Sequence, residues 1–448
     1  MEKLVSTEGP RVLMMGYNGA NNTGAEALLQ ADIEDVRAVL GAGAIITIPT
    51  LNEANLRRYV TESPTLHIAP MPTLFFGAIH RMVRESDVVL LVEGSTYMDT
   101  WASPLLWVFL WASHCAADMG KPCLAYAVDA GTLRPFNARL VRRVASRTDL
   151  IVTRNRAAAG RLRAVGVTAP LEFTADNAFT FQPREADRGW LGRHWPRAVG
   201  GVVGLAMVDF FLFPAVMRPW GPRERCYKWP YYFSGSAERT RSSENLARGY
   251  ASLADRAVEC TGKAVALICM EQLDEGLAGQ VHRRMRHAES ARVFSARQYD
   301  ASQMTYLLRG LDLLVTSRFH AAVLSLAAAV PMVAVHHDTR LATLYQDLGL
   351  KQRWFMDPGA EGSVACTAAA VELFQGIWER VELLLENPGL QRDLLHRGYA
   401  KHVKRARRNR RLLADFVARK LGKAGKSGCT ATNLGPVAEP NGGAKWVA

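Results

Sequence analysis

Short apolar runs alternate along this chain with longer segments whose apolar residues recur at helical spacing. The runs 11–15, 44–48, 88–92, 122–128 and 149–153 are rich in Val, Ile, Leu, Met and Ala, the pattern of strands buried on both faces. Between them, 25–40, 52–60, 105–119, 137–147 and 157–165 place apolar residues three and four apart, which predicts helices packed through one side. A short strand at 171–174 closes this series. The stretch 183–198 is polar, charged and Pro/Gly-bearing, and reads as a linker. The plan then restarts, with strands at 199–208, 264–270, 292–294, 311–315 and 331–335. Helices at 244–260, 275–286, 303–309, 321–330 and 341–348 intervene. Such alternation predicts parallel sheets covered by helices. The chain therefore divides into an amino-terminal α/β domain over 1–182 and a second α/β domain over 199–388. A basic helical segment over 389–421 and a disordered tail over 422–448 follow.

One stretch departs from the alternation. Residues 209–243 interleave Phe210, Phe211, Phe213, Trp220, Tyr227, Trp229, Tyr231, Tyr232 and Phe233 with Arg218, Arg223, Arg225 and Lys228. A long irregular insert in a compact domain is usually functional. Aromatic faces beside cations suit sugar rings or a phosphorylated lipid carrier; the competing reading is a loop packed on its own domain.

Composition narrows the class. With 49% hydrophobic and 22% charged residues, the 448-residue chain is globular. Its net charge of +13 favours anionic partners. The seven cysteines lack metal-binding spacing and read as free thiols of a reducing compartment. The first ten residues do not read as a secretory signal, and the most apolar stretch, around 105–112, is too short to span a bilayer. A cytoplasmic enzyme is expected. The Lys/Arg run 401–411 reads either as a solvated helix face or as a peripheral contact with the inner membrane face. No nucleic-acid-binding module is present, no cofactor is implied, and the oligomeric state is not legible.

The chemistry is expected where strands end. Thr316-Ser-Arg-Phe-His320 lies between a strand and a helix, the edge at which open α/β sheets bind ligands. Arg318 and His320 there suggest an anion clamp beside a proton donor or acceptor. The alternative is a surface Arg and a capping His. A Gly-rich loop, 16–24, follows the first strand and opens a helix, the recipe for holding phosphate or carboxylate on backbone N–H groups. It lacks both GxGxxG and the Walker Lys, and a tight turn needing glycine is the competing reading. Two facing domains would line a cleft with these loops, the layout of B-type glycosyltransferases.

Seven motifs in order resemble the polysaccharide pyruvyl transferase family across roughly residues 11–350. They are Asn21-Asn-Thr-Gly-Ala-Glu-Ala-Leu28, Glu93-Gly-Ser-Thr-Tyr-Met-Asp99, Thr153-Arg-Asn155, Thr174-Ala-Asp176, Ser317-Arg-Phe-His320, Val330-Pro-Met-Val333 and His337-Asp-Thr-Arg340. Glu93 stands where the family usually has Gly, Ala25 where Asp is frequent, and Arg340 where Lys is usual. The resemblance implies two Rossmann-like domains facing a cleft, a B-type glycosyltransferase-like fold. It also implies transfer of the enolpyruvyl group of phosphoenolpyruvate, as co-substrate, onto sugar hydroxyls as a ketal. The acceptor would be a polysaccharide, glycolipid or glycan precursor, lipid- or nucleotide-linked. Carried onto this chain, the resemblance makes His320 and Arg318 catalytic. It makes Arg154, Asn22, Gly24, Glu26, Gly94, Ser95, Asp99, Asp176, His337, Asp338 and Arg340 substrate-binding. Two alternatives stay open: a nucleotide-sugar-dependent glycosyltransferase on the same fold, and a non-catalytic relative that binds anions or membrane.

Overall fold

A computed structural model describes residues 9–100, 102–212, 215–223, 226–228, 231–233, 235–337, 339–358, 364 and 366–422. The expected tail from 423 onward, Asp338, and Phe213, Arg225 and Trp229 of the insert lie outside the described residues.

The first domain is built on seven strands: β1 (Arg11–Met15), β2 (Ile45–Thr50), β3 (Leu66–Pro70), β4 (Val88–Leu91), β5 (Cys123–Val128), β6 (Leu150–Thr153) and β7 (Leu171–Phe173). All pair in parallel in the order β3-β2-β1-β4-β5-β6-β7. The central strands are buried on both faces, which is why they read as unbroken apolar runs. β3 gave no such run. It is an edge strand that alternates buried and exposed residues and ends on Pro70, which a sheet tolerates at its edge.

The second sheet contains β8 (Val202–Ala206), β12 (Ala264–Cys269), β13 (Ala291–Ser295), β14 (Leu313–Thr316), β15 (Met332–Val335) and β16 (Phe355–Met356), ordered β13-β12-β8-β14-β15-β16 and again all parallel. Between β8 and β12, the insert forms a three-stranded antiparallel sheet from β9 (Ala215–Met217), β10 (Cys226–Lys228) and β11 (Tyr231–Phe233), where an irregular segment was expected. In both parallel sheets the strand order reverses beside the first strand, between β1 and β4 and between β8 and β14. Ligands of such sheets bind in the crevice at that switch point.

Two further expectations are corrected. The stretch 183–198 is no open linker: Trp190, Leu191 and Trp195 are buried in the second domain's core, because Trp190 and Trp195 stack edge-on against Phe294 of β13. The helix expected over 321–330 runs instead from Phe319 to Ser325, then tightens into a 3-10 turn, and Ala329 takes a left-handed φ of 50°.

The carboxy-terminal helix Arg392–Lys420 joins the domains. Leu395 and Ala406 belong to the second domain's core, whereas Leu413, Phe416 and Val417 belong to the first domain's. Burying such a side chain is worth about 1.5–3 kcal/mol. Three arginines of the basic run 401–411 are engaged by carboxylates of both domains. Arg410 Nε lies 2.6 Å from Asp35, Arg408 pairs with Glu172 at 2.9 Å, and Arg405 with Asp347 at 3.1 Å. Asn409, fully buried, donates to the carbonyl of Ala175 at 2.9 Å. No helix among the described residues is long and apolar enough to cross a membrane.

Candidate active site

The two switch points face each other across a cleft holding a cavity of about 180 Å³. Its polar end is formed by the loops after β1, β4, β12 and β14, with Asn18, Asn22, Glu93, Ser95, Glu271 and His320. Arg340, from the helix Thr339–Asp347, reaches the same cavity. The loops also bond across the domains: Thr23 N–H donates to Met270 O at 2.9 Å, and Asn21 Nδ2 to Gln272 Oε1 at 2.9 Å.

His320 occupies the junction. Its Nε2 lies 3.5 Å from Asp176 Oδ2. Its Nδ1 edge packs on Gly24, where an added Cβ would come within 2.0 Å. Glycine is thus required at 24 for close approach between the domains, not for backbone freedom. Asp176 in turn accepts from Arg154 Nη1 at 2.6 Å, and Arg154 Nε donates to Asp129 Oδ2 at 2.8 Å. A register slip between Ala125 and Val128, with Ala127 at a φ of 53°, turns the end of β5 so that Asp129 meets Arg154. Burial alone would raise the Asp176 carboxyl, but the Arg154 guanidinium and His320 together hold it well below the usual carboxylate range.

Arg154 is closed off from the cavity. Its side chain is 1% exposed, sits behind Gly94, and lies over the Phe319 ring at 4.7 Å. The expected direct clamp on substrate is corrected to a buried ion pair that positions Asp176. Arg154 Nη2 is buried without a hydrogen-bond partner among the described residues.

Arg318 borders the cavity, but its guanidinium is already engaged. Nε donates to Asp274 Oδ2 at 3.0 Å, Nη2 to Asp274 Oδ1, and Nη1 to Glu271 Oε2 at 3.1 Å. Its backbone N–H bonds Thr316 Oγ1 at 2.9 Å, fixing the extended residue that opens the next helix. Burial pushes the Asp274 carboxyl up to about 6, against the pull of Arg318. An open anion clamp is thus corrected to a fork held by two carboxylates.

The remaining expected residues divide. Asn22, Gly24, Ser95 and Arg340 border the cavity. Asn22 also caps the helix Thr23–Leu40 by accepting from Ala25 N–H at 3.0 Å. Glu26 turns away from the cavity, and its Oε2 accepts from Ala301 N–H at 3.0 Å, at the start of a second-domain helix. Asp99 accepts from Arg134 N–H at 3.0 Å and Asn137 Nδ2 at 2.7 Å, opening the helix Pro135–Ala145. Both were expected to touch substrate; each instead satisfies the orphan N–H groups of a helix end. His337 stacks on Phe210 at 5.5 Å and does not border the cavity. Among the described residues, no group of three or more His, Cys, Asp or Glu has metal-holding geometry.

Glu93 was not singled out as a site residue, yet its carboxylate borders the cavity. It accepts from Tyr17 N–H at 3.1 Å and Ser95 N–H at 3.0 Å. Burial raises it, with the Ser95 N–H, Arg154, His320 and Arg340 pulling the other way. The departure from Gly at 93 was the available signal. Tyr231 and Phe233 of the insert also border the cavity.

Comparison with known proteins agrees with this architecture. An S. aureus MnaA–UDP co-structure is 10% identical, with a TM-score of 0.57, covering 92% of this chain and 97% of that one. UDP-GlcNAc 2-epimerase from Neisseria meningitidis, bound to UDP-GlcNAc, is 9% identical with a TM-score of 0.56, covering 91% and 99%. A glycosyltransferase from Rickettsia africae is 8% identical with a TM-score of 0.53, covering 93% and 99%. At these identities the likeness establishes the two-domain, B-type glycosyltransferase-like fold. No curated protein matches the sequence. The model of the family described as polysaccharide pyruvyl transferase matches residues 30–339, and the chain belongs to that family.

Proposed function

We propose that the protein transfers the enolpyruvyl group of phosphoenolpyruvate onto two hydroxyls of a carbohydrate acceptor, forming a ketal and releasing phosphate, with no further cofactor. The observation that carries this reading is His320, pinned between Gly24 of one domain and Asp176 of the same buried network as Arg154, at the meeting of both switch points. His320 protonates the methylene carbon of the donor. Carbon 2 becomes electrophilic, and an acceptor oxygen bonds to it while losing its own proton. The second hydroxyl then displaces phosphate from carbon 2 as that C–O bond breaks and its proton leaves. Asp176, held ionised, provides negative charge beside the imidazole that cycles through its cationic form. Arg340 faces the donor's negative charges. Burial pushes the Glu93 carboxyl up, against the pull of the Ser95 N–H, Arg154, His320 and Arg340, which weakens the repulsion it would offer the donor's anionic groups.

The test is a thermal-shift titration combined with phosphate release. Phosphoenolpyruvate stabilises the protein and uridine diphosphate does not. His320→Ala keeps the phosphoenolpyruvate shift but loses about 100- to 10,000-fold in phosphate release with glycan acceptors. Stabilisation by uridine diphosphate alone would replace this reading with a nucleotide-sugar transferase. Near-wild-type turnover in His320→Ala would remove the proposed proton donor.

A further inference from the structure

Three successive residues of the helix Arg392–Lys420 grip the segment that carries Asp176 and the helix beside it. Arg408 Nη2 lies 2.9 Å from Glu172 Oε2, and Arg410 Nε lies 2.6 Å from Asp35 Oδ1. Between them Asn409, fully buried, donates from Nδ2 to Ala175 O at 2.9 Å and to Asn177 Oδ1 at 2.5 Å. An amide nitrogen carries two hydrogens, and both are used here, one on the residue before Asp176 and one on the residue after it. A hydroxyl has one hydrogen to give and a carboxylate has none. Asn177 passes the hold on: its own Nδ2 donates to Asp32 Oδ1 at 2.5 Å and to Asp35 Oδ2 at 3.3 Å, both on the helix Thr23–Leu40, whose Gly24 packs against His320. Phe179, three residues after Asp176, stacks on His402 of the carboxy-terminal helix at 4.8 Å. Asn409 Oδ1 is buried without a hydrogen-bond partner among the described residues. A half-satisfied buried amide costs stability, so stability alone does not account for this residue. The sequence motifs end at Arg340, and none reaches this helix.

The carboxylate held in this way has little tolerance. Asp176 Oδ2 is 3.5 Å from His320 Nε2, at the long limit of a hydrogen bond, and His320 opens a helix of the second domain. A displacement of about 1 Å would break that contact. The carboxy-terminal helix reaches both sides of it, with Leu395 and Ala406 in the second domain's core and Asn409 on residues 175 and 177. We infer that Asn409 is a positioning residue of the active site: through the Ala175 carbonyl and the Asn177 amide it sets the Asp176 carboxylate against His320, without itself bordering the cavity. The effect on rate rests on the pyruvyl-transfer reading; the effect on His320 does not.

The test is a double-mutant cycle of Asn409→Ser with Asp176→Asn in the full chain. It is read by phosphate release from phosphoenolpyruvate, with methyl galactoside, glucoside and mannoside as acceptors, and by the ring nitrogen signals of His320 in NMR. Cooperative urea unfolding reports that each variant folds, and Asn409→Gln, which keeps the amide on a longer arm, repeats the measurement. Both Asn409 variants are expected to lower kcat about 10- to 100-fold with little change in KM for phosphoenolpyruvate. In the Asp176→Asn background the further loss should stay within about twofold. The His320 signals should move in the same direction in Asn409→Ser and in Asp176→Asn. Leu395→Ala, a cavity in the same helix within the second domain's core, should lower the urea midpoint yet leave kcat within about twofold. Equal losses with and without Asp176, a kcat loss matched by Leu395→Ala, or His320 signals unmoved by Asn409→Ser would overturn the inference. If phosphoenolpyruvate neither stabilises the wild type nor reacts, the donor reading fails on its own, and the His320 signals still decide for or against Asn409.

Discussion

Arg154 and Arg318 occupy corresponding places, one after β6 and one after β14, each at the carboxyl edge of its sheet and each with its guanidinium shared between two buried carboxylates. Their surroundings then diverge. Asp176 meets a second cation, His320, and is driven well below the usual carboxylate range; its burial is more than offset by Arg154 and His320. Asp274 meets Arg318, but the neighbouring Glu271 raises it further, so burial wins and it reaches about 6. The same fork of nitrogens thus holds one carboxylate charged beside the proposed proton donor, and holds another close to protonation. A third group, not the arginine itself, decides what each pair can do.

The widest test of that contrast is removal of each arginine. Arg154→Ala leaves Asp129 and Asp176 buried without it, and is expected to cost about 3–5 kcal/mol of stability by urea unfolding at pH 7.5. Arg318→Ala should cost less, and less again at pH 5.5. The sign follows from linkage. Asp274 titrates above its unfolded value of 3.8, so its contribution is full below 3.8 and is lost as pH rises through about 6. Without Arg318 that window moves upward, and acidification relieves more of the penalty. In the wild type Asp176 behaves oppositely, its contribution present above 3.8 and lost only as pH falls well below it; in Arg154→Ala the main charge holding it down is gone, burial raises it, and pH 5.5 relieves that variant as well. Equal deficits for both variants at both pH values would erase the distinction.

A smaller perturbation reaches the same network through His320. Gly24→Ala keeps a good helix former in the first turn of Thr23–Leu40, yet its Cβ would press within 2.0 Å of His320 Nδ1. Folding is expected to survive and phosphate release to fall about 10- to 100-fold, since a shift of order 1 Å at a reacting group costs that much. Gly24→Ala combined with His320→Ala should fall no further than His320→Ala alone. Additive losses would show that Gly24 acts elsewhere.

These two networks also show what the sequence could and could not disclose. The central strands were legible because burial on both faces writes them as unbroken apolar runs. The loops at their ends were legible because turn residues follow each run. The partners of the arginines were not. Asp274 lies 44 residues before Arg318, and Asp129 lies 25 before Arg154, and no periodicity links a guanidinium to a carboxylate on another strand. The expectation of exposed clamps failed for that reason. The basic helix was legible as a helix, but Arg410 finds Asp35 across 375 residues, so which cations remained free could not be read. The insert's short strands, with three residues each, carry too little pattern to stand out from their loops.

The gentlest probe of the same principle is Glu26, a carboxylate at the domain junction with a cation nearby but no fork. Its Oε1 is 3.7 Å from Arg58, and its Oε2 accepts the Ala301 N–H. Burial outweighs Arg58, with Asp300 adding repulsion, and raises it from 4.5 to about 8. A carboxyl raised on folding binds its proton more tightly in the folded state. Its contribution is therefore full below pH 4.5 and declines as pH rises to about 8, beyond which it is constant. The slope should approach about 1.4 kcal/mol per pH unit in the middle of that window. Glu26→Gln keeps an acceptor for Ala301 and carries no charge, so the variant should be slightly less stable or equal at pH 5 and more stable at pH 8. Urea midpoints across this range give the measurement. A wild type and variant that run parallel would mean that Arg58 holds Glu26 ionised, making it a weaker version of the Asp176 case and not of Asp274.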